Sequence, residues 1–244
     1  MPSYRLLLSL ILIAGCNAPA ETDQAPVPAS AEILRRSLQF HDPQEQWAGS
    51  QFRMVIEEPR TQFAERQSTI VMDLPNESFE VIRVYEGVMV RRGLRGDSCY
   101  SYVDGILVDP ADTAVVQQFR LGCERTLGYR SFYQLLTGLP MTLFSPDVSL
   151  NEEAKAVTFG PYACYSVRAR LNNPVISEEW LFYFDQQTYQ LRGYQSAGAG
   201  AAEYLELDGQ VQHRDMYLPR MRHWYSLADS VYLGSDIIIE MEAL

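Results

Sequence analysis

The chain has 244 residues, with 31 acidic side chains against 20 basic ones, a formal net charge of −11. That excess of carboxylates argues against a nucleic-acid partner, whose phosphates demand a basic face, and against docking on anionic lipid by charge. The length is enough for one large domain with a substantial core.

The first residues have the three parts of an export signal. Arg5 supplies positive charge, residues 6–14 are apolar apart from Ser9, and Ile13-Ala14-Gly15-Cys16 closes the segment with small residues. The apolar run is about half the roughly 20 residues that span a bilayer as a helix, so it reads as a signal segment rather than a permanent anchor. Its ending resembles the lipobox of bacterial lipoproteins. That resemblance implies a signal peptide over residues 1–15, cleavage before Cys16, and lipid attached to Cys16. More than one acyl chain is what makes such an attachment firm. Asn17 stands where inner-membrane retention uses Asp, so placement on the outer membrane, facing the periplasm, is expected.

Residues 16–29 hold the lipidated cysteine and a tether rich in proline and alanine, without an aromatic residue. Such a segment cannot pack a core and could extend roughly 40 Å. Ser30 is placed to cap a short helix in which Leu34 and Leu38 share a face, and Pro43 stops it. From about residue 50 the period changes to two. Phe52, Met54 and Ile56 alternate with Arg53, Val55 and Glu57, and Ile70, Met72 and Leu74 fall on one face. Residues 79–85 and 88–92 continue the pattern, with Gly87, Gly93, Gly96 and Asp104-Gly105 read as turns. Strands this close, with no helix between them, should pair antiparallel.

Asp109-Pro110 opens a helical segment carrying Val115, Val116 and Phe119, and residues 131–136 predict a second short helix ending near Gly138. Strands are then predicted at 156–160, 162–171, 179–184, 189–195, 204–207, 211–218, 220–227 and 237–241. The expected fold is α+β: one domain over residues 30–244, built as a large curved antiparallel sheet, a half-open barrel, with a few short helices covering its concave face.

Cysteine usage fits an oxidising compartment. Cys99 and Cys123 both lie beside turn residues and are the expected disulfide, worth about 3.5 kcal/mol by loop entropy. Cys164 sits in an alternating segment as a small buried hydrophobe. There is no C-x-x-C, and the three histidines are scattered, so neither a metal nor a cofactor is expected.

Several patches carry a wider resemblance. They are Phe40-His41-Asp42-Pro43 with Trp47, Gly138-Leu139-Pro140-Met141, Trp180-Leu181-Phe182-Tyr183-Phe184-Asp185, Leu191-Arg192-Gly193-Tyr194, Leu218-Pro219-Arg220 and Leu233-Gly234-Ser235-Asp236. Over most of residues 33–240 the chain resembles an uncharacterised family of bacterial lipoproteins, a domain of unknown function. It has Phe40 where tyrosine would be expected. The order of elements also resembles the lipoprotein carrier and receptor proteins of the outer membrane, which implies a curved sheet over an apolar hollow with helices as a lid.

Trp180, Phe182 and Phe184 share one strand face. They are read as the lining for an apolar or amphiphilic ligand, against the plainer reading of ordinary core. Arg220, Arg222 and Trp224 alternate on another strand, either as an anion site or as an arginine-bearing outer face. His41, Asp42, His213 and Asp215 would serve an enzyme only if they met in one cleft. No catalytic motif is present. The expectation is therefore a non-enzymatic, lipid-anchored envelope protein that binds a hydrophobic or amphiphilic ligand, the alternative being a structural or protein-interaction module without one. Its protein partners are not legible.

Overall fold

The computed structural model describes residues 26–62, 64–172, 177–198, 200 and 202–244. The expected signal peptide, Cys16 and the tether up to residue 25 lie outside the described residues. Helix α1 spans Ser30–His41. It leads into a meander of β1 (Gln51–Glu58), β2 (Arg66–Asp73), β3 (Ser78–Tyr85), β4 (Val88–Arg95), β5 (Ser98–Val103) and β6 (Ile106–Leu107). Helices α2 (Thr113–Gln118) and α3 (Cys123–Gly138) follow. The second half contains β7 (Val148–Leu150), β8 (Lys155–Phe159), β9 (Tyr162–Leu171), β10 (Glu179–Asp185), β11 (Leu191–Ala197), β12 (Glu203–His213), β13 (Met216–Ser226) and β14 (Tyr232–Ala243).

All these strands belong to one curved, unclosed antiparallel sheet, ordered β6-β5-β4-β3-β2-β1-β14-β13-β12-β11-β10-β9-β7, with β8 also paired to β9. It is two meanders joined along β1 and β14, where Phe52 faces Ala243 and Met54 faces Met241. The strands that end the two meanders, β6 and β7, do not pair with each other. The chain passes from one to the other through α2 and α3, so this connection has to cross the sheet. Tight reversals within the meanders follow ordinary turn chemistry. Glu86 and Gly87 both have positive φ (50° and 84°), as do Asp104 and Gly105 (47° and 81°), the backbone of two-residue hairpins.

Side chains of one sheet face bury against the helices. Phe52, Met54, Ile56, Ile70, Met72, Phe79 and Val81 form one cluster with Tyr133 of α3 and with Trp47. Val167, Ala169, Phe182, Phe184, Leu191 and Leu205 form another with Ile33 and Leu34 of α1 and Leu136 of α3. Strand alternation supplies the apolar face, and α3 lies between the two clusters. Cys99 and Cys123 form a disulfide that ties β5 to the first residue of α3. Cys164 is a buried free thiol.

Four local expectations are corrected. The three strands predicted over 204–227 are two long ones. Gly209, at φ 61°, is accommodated inside β12 between the pairs Asp208–Met221 and Gln210–Pro219. Pro219 is tolerated because β14 pairs with β13 only from Met221 onward, so its missing N–H is not needed there. The reversal falls at Arg214-Asp215 instead. Gly93 is not a turn. It lies within β4, where the Tyr100 ring packs so close that a Cβ would stand 2.5 Å from Cζ. Helix α3 begins at Cys123, well before residue 131. Ser30 is the first residue of α1 rather than its cap; Ala29 takes that place.

Candidate binding cleft

On β10 the alternation holds, but its three aromatic residues have different surroundings. Phe182 and Phe184 are 1% and 0% exposed and pack with α1 and α3 in the core. Trp180 lies at the end of that row in the same buried cluster, itself only 3% exposed. Its Nε1 donates to the Ser177 carbonyl at 2.7 Å, and its ring meets Tyr194 edge-on at 5.8 Å. Trp180 also lines a cleft of about 560 Å³ together with Ser196, Ala202, Glu203, Leu205 and Trp224. A second cleft of about 340 Å³, bounded by Arg60, Phe132 and Leu233, shares Glu203 and Trp224 with the first. Of the three aromatics expected to line a site, only Trp180 reaches these clefts.

Trp224 is held from two sides. It stacks on Phe132 of α3 with centroids 6.4 Å apart, and its Nε1 donates to Asp236 Oδ2 at 2.9 Å. Asp236 in turn accepts from Arg60, whose guanidinium also donates to the carbonyls of Ser235 and Pro59.

Beneath this lies a buried ionic group on β1, β2 and β3. Glu58 accepts two hydrogen bonds from Arg66, at 2.9 and 2.8 Å, and one from Ser68. Arg83 donates to Ser68 Oγ at 2.7 Å and to Tyr133, and stands 3.6 Å from Glu58. Burial pushes the Glu58 carboxyl up, but the Arg66 hydrogen bonds and the charges of Arg83 and Arg66 outweigh it and hold the group below its ordinary value. Burial drives the Tyr133 hydroxyl upward, so it stays a phenol and can donate as well as accept.

The remaining buried cations sit at helix ends. Arg222 donates from Nε and Nη2 to the Leu136 carbonyl in the last turn of α3, at 3.2 and 2.9 Å. Arg92 does the same for Arg120 and Phe119 just after α2, at 2.8 and 3.0 Å. Both satisfy carbonyls that a helix leaves open and place positive charge at its negative end. The expected outer face of Arg220, Arg222 and Trp224 is thereby corrected. Arg222 and Trp224 look toward α3, while Arg220 is exposed beside the Ile238 carbonyl.

None of the histidines and carboxylates singled out as acid–base candidates lines the two clefts above, and each is engaged in local contacts. Asp42 accepts from the amides of Gln46 and Trp47, both at 2.8 Å, a turn that positions Trp47. Asp215 accepts from Gln46 Nε2 at 3.1 Å from within the β12–β13 turn, so it is not on one strand face with His213. His213 packs edge-on to Phe52. Both nitrogens of His41 are taken by backbone groups of Leu191 and Tyr217. Among the described residues no helix is long and apolar enough to cross a membrane.

Phe132, Arg60, Glu203 and Leu233 were not legible as site residues. Each is contributed by a different segment, and only the curvature of the sheet and the crossing of α3 bring them together.

The fold is shared with solved structures. A LolA superfamily protein from Nitrosomonas europaea aligns over 88% of this chain and 93% of its own length, at 11% identity and a TM-score of 0.53. A DUF1329 family protein from Desulfovibrio piger aligns over 89% and 94%, at 6% identity and a TM-score of 0.51. At these identities the likeness is one of fold. No curated protein matches the sequence. Residues 6–241 match the family of unknown function DUF6503, and the chain belongs to that family.

Proposed function

We propose that this protein is an envelope lipoprotein, held by lipid on Cys16 at the outer membrane and facing the periplasm, that binds a hydrophobic or amphiphilic ligand between the concave face of a half-open barrel and the helices over it. The observation that carries this reading is the pair of joined clefts where Trp180, Leu205 and Trp224 meet Phe132 of α3. Aromatic walls, a few polar groups and shared lining residues are what such sites have in common. Likeness of fold to a LolA superfamily protein supports the reading. The core beneath Phe182 and Phe184 is filled, so the ligand would occupy the clefts rather than a hollow running the length of the sheet.

The test is native mass spectrometry of the protein purified from membranes of its own host, with extracted lipids identified in parallel. A bound apolar or amphiphilic molecule that is lost on Trp224→Ala is expected. Protein that carries nothing, and takes up nothing from added lipid, overturns the ligand part. Cys16→Ser should move the protein from the membrane to the soluble fraction; unchanged fractionation overturns the anchor.

A further inference from the structure

The two clefts have unequal charge. Among the described residues, their only basic lining residue, Arg60, donates from Nη1 and Nη2 to Asp236 and to the carbonyls of Ser235 and Pro59. Two of the acidic lining residues are also paired: Glu179 with Arg168 at 2.7 Å, and Glu178 with Arg170 at 3.1 Å. Glu203 is different. It lines both clefts and has no ion pair among the described residues. Burial pushes its carboxyl up from the ordinary value, and the charge of Arg60 offsets only part of this. A half-buried acid facing a cavity without a partner is a group whose charged form the protein leaves under-satisfied. Beside it stand two indoles, Trp180 and Trp224, whose ring faces attract cations.

We infer that the cleft accepts an amphiphile with a cationic head, a protonated amine, held by the Glu203 carboxylate with its hydrocarbon part against Trp180, Leu205 and Trp224. This rests on the proposed ligand-binding function and specifies its chemistry. An anionic head would meet Glu203 directly and find Nη1 and Nη2 of Arg60 already bonded to Ser235, Pro59 and Asp236. A neutral head would leave Glu203 as it is.

The experiment titrates the full-length protein at neutral pH with three water-soluble probes of equal chain length: hexylamine, hexanol and hexanoate. Quenching of tryptophan fluorescence reports occupancy, since two of the three tryptophans line the cleft. Hexylamine should bind about tenfold tighter than hexanoate, the size of one hydrogen bond to a charged group. Glu203→Gln should bring hexylamine to the level of hexanol and leave hexanol unchanged. Equal binding of amine and carboxylate, or a preference that survives Glu203→Gln, overturns the cationic head group while apolar binding stands. If none of the three probes binds, the ligand-binding function falls with it.

Discussion

His41 Nε2 accepts a hydrogen bond from the Leu191 amide at 3.0 Å, while Nδ1 of the same ring lies 2.6 Å from the Tyr217 carbonyl. An amide only donates and a carbonyl only accepts, so these partners fix the neutral tautomer with its proton on Nδ1. Leu191 is in β11 and Tyr217 in β13, with β12 between them. Strands β11 and β12 share only three register pairs, Gly193–Glu206 to Gln195–Tyr204. The imidazole at the end of α1 therefore fastens the helix to two strands that are not neighbours, where the sheet splays.

Protonating that ring would set a donor against the Leu191 amide. Burial already holds His41 at about 4, down from 6.5. Between these values the unfolded chain binds a proton that the folded chain refuses, so stability is full above about pH 6.5 and declines toward pH 4. A displacement of this size corresponds to roughly 3 kcal/mol. His213, also lowered by burial, adds to the same limb. Urea unfolding at stepped pH should therefore show falling stability on acidification. His41→Asn should be less stable at neutral pH and lose less of its stability as pH falls; a slope identical to the parent's would contradict this account.

Gly138 and Trp47 form a second joint. A Cβ on Gly138 would stand 2.3 Å from Trp47 Cζ2 and 2.6 Å from Thr142 Cγ2. Gly128, in the same helix, has nothing within 4 Å of that position. Alanine at the two sites should act in opposite directions. Gly138→Ala should cost about 1–3 kcal/mol through overpacking. Gly128→Ala should add about 0.5–1 kcal/mol through helix propensity. Denaturant midpoints of both variants check the pair, and equal shifts would mean that the indole contact is not what requires glycine.

These joints show what could be read from the chain and what could not. Strands such as β1, β2, β9 and β10 were legible because one face is buried and apolar residues recur every second position. The same rule hid Glu58, Ser68, Arg83 and Arg92, which occupy inward positions in those meanders but read as outward ones by type. Gly209 and Pro219 broke the pattern locally, yet tertiary pairing carried both strands through. The family patches were visible, but not their role. His41, Asp42, Gly138 and Gly193 serve as packing and hydrogen-bonding joints, and Gly193 leaves room for Phe159 and the Leu205 carbonyl. The clefts themselves draw on segments far apart in the chain, from Arg60 to Leu233, and no local spacing records their convergence.

Glu58 and Arg83 are both nearly inaccessible, at 1% and 4% exposure. Removing one partner of such a pair leaves the other buried and uncompensated, at a cost of about 3–5 kcal/mol. Glu58→Gln should fall in that range, since Arg83 would keep only Ser68 and Tyr133. Arg66 is partly exposed and can turn to solvent, so Arg66→Gln should cost less. Combining Glu58→Gln with Arg83→Met should cost less than the two single changes added together. Additive losses in a double-mutant cycle would show that the two groups are not coupled.

Trp180 and Phe182 occupy one face of β10 with stacked rings 6.4 Å apart, yet they should answer differently to truncation. Phe182 is enclosed by α1, α3 and Tyr194, so Phe182→Ala should open a cavity and cost about 3–5 kcal/mol. Trp180 borders the cleft, where solvent can fill part of the space an indole leaves. Trp180→Leu keeps an apolar surface there but removes the ring face and the Nε1 bond to Ser177. It should cost less stability than Phe182→Ala and weaken hexylamine more than hexanol. If Phe182→Ala instead changed ligand uptake while leaving stability intact, the binding surface would lie deeper along β10, under α1 and α3.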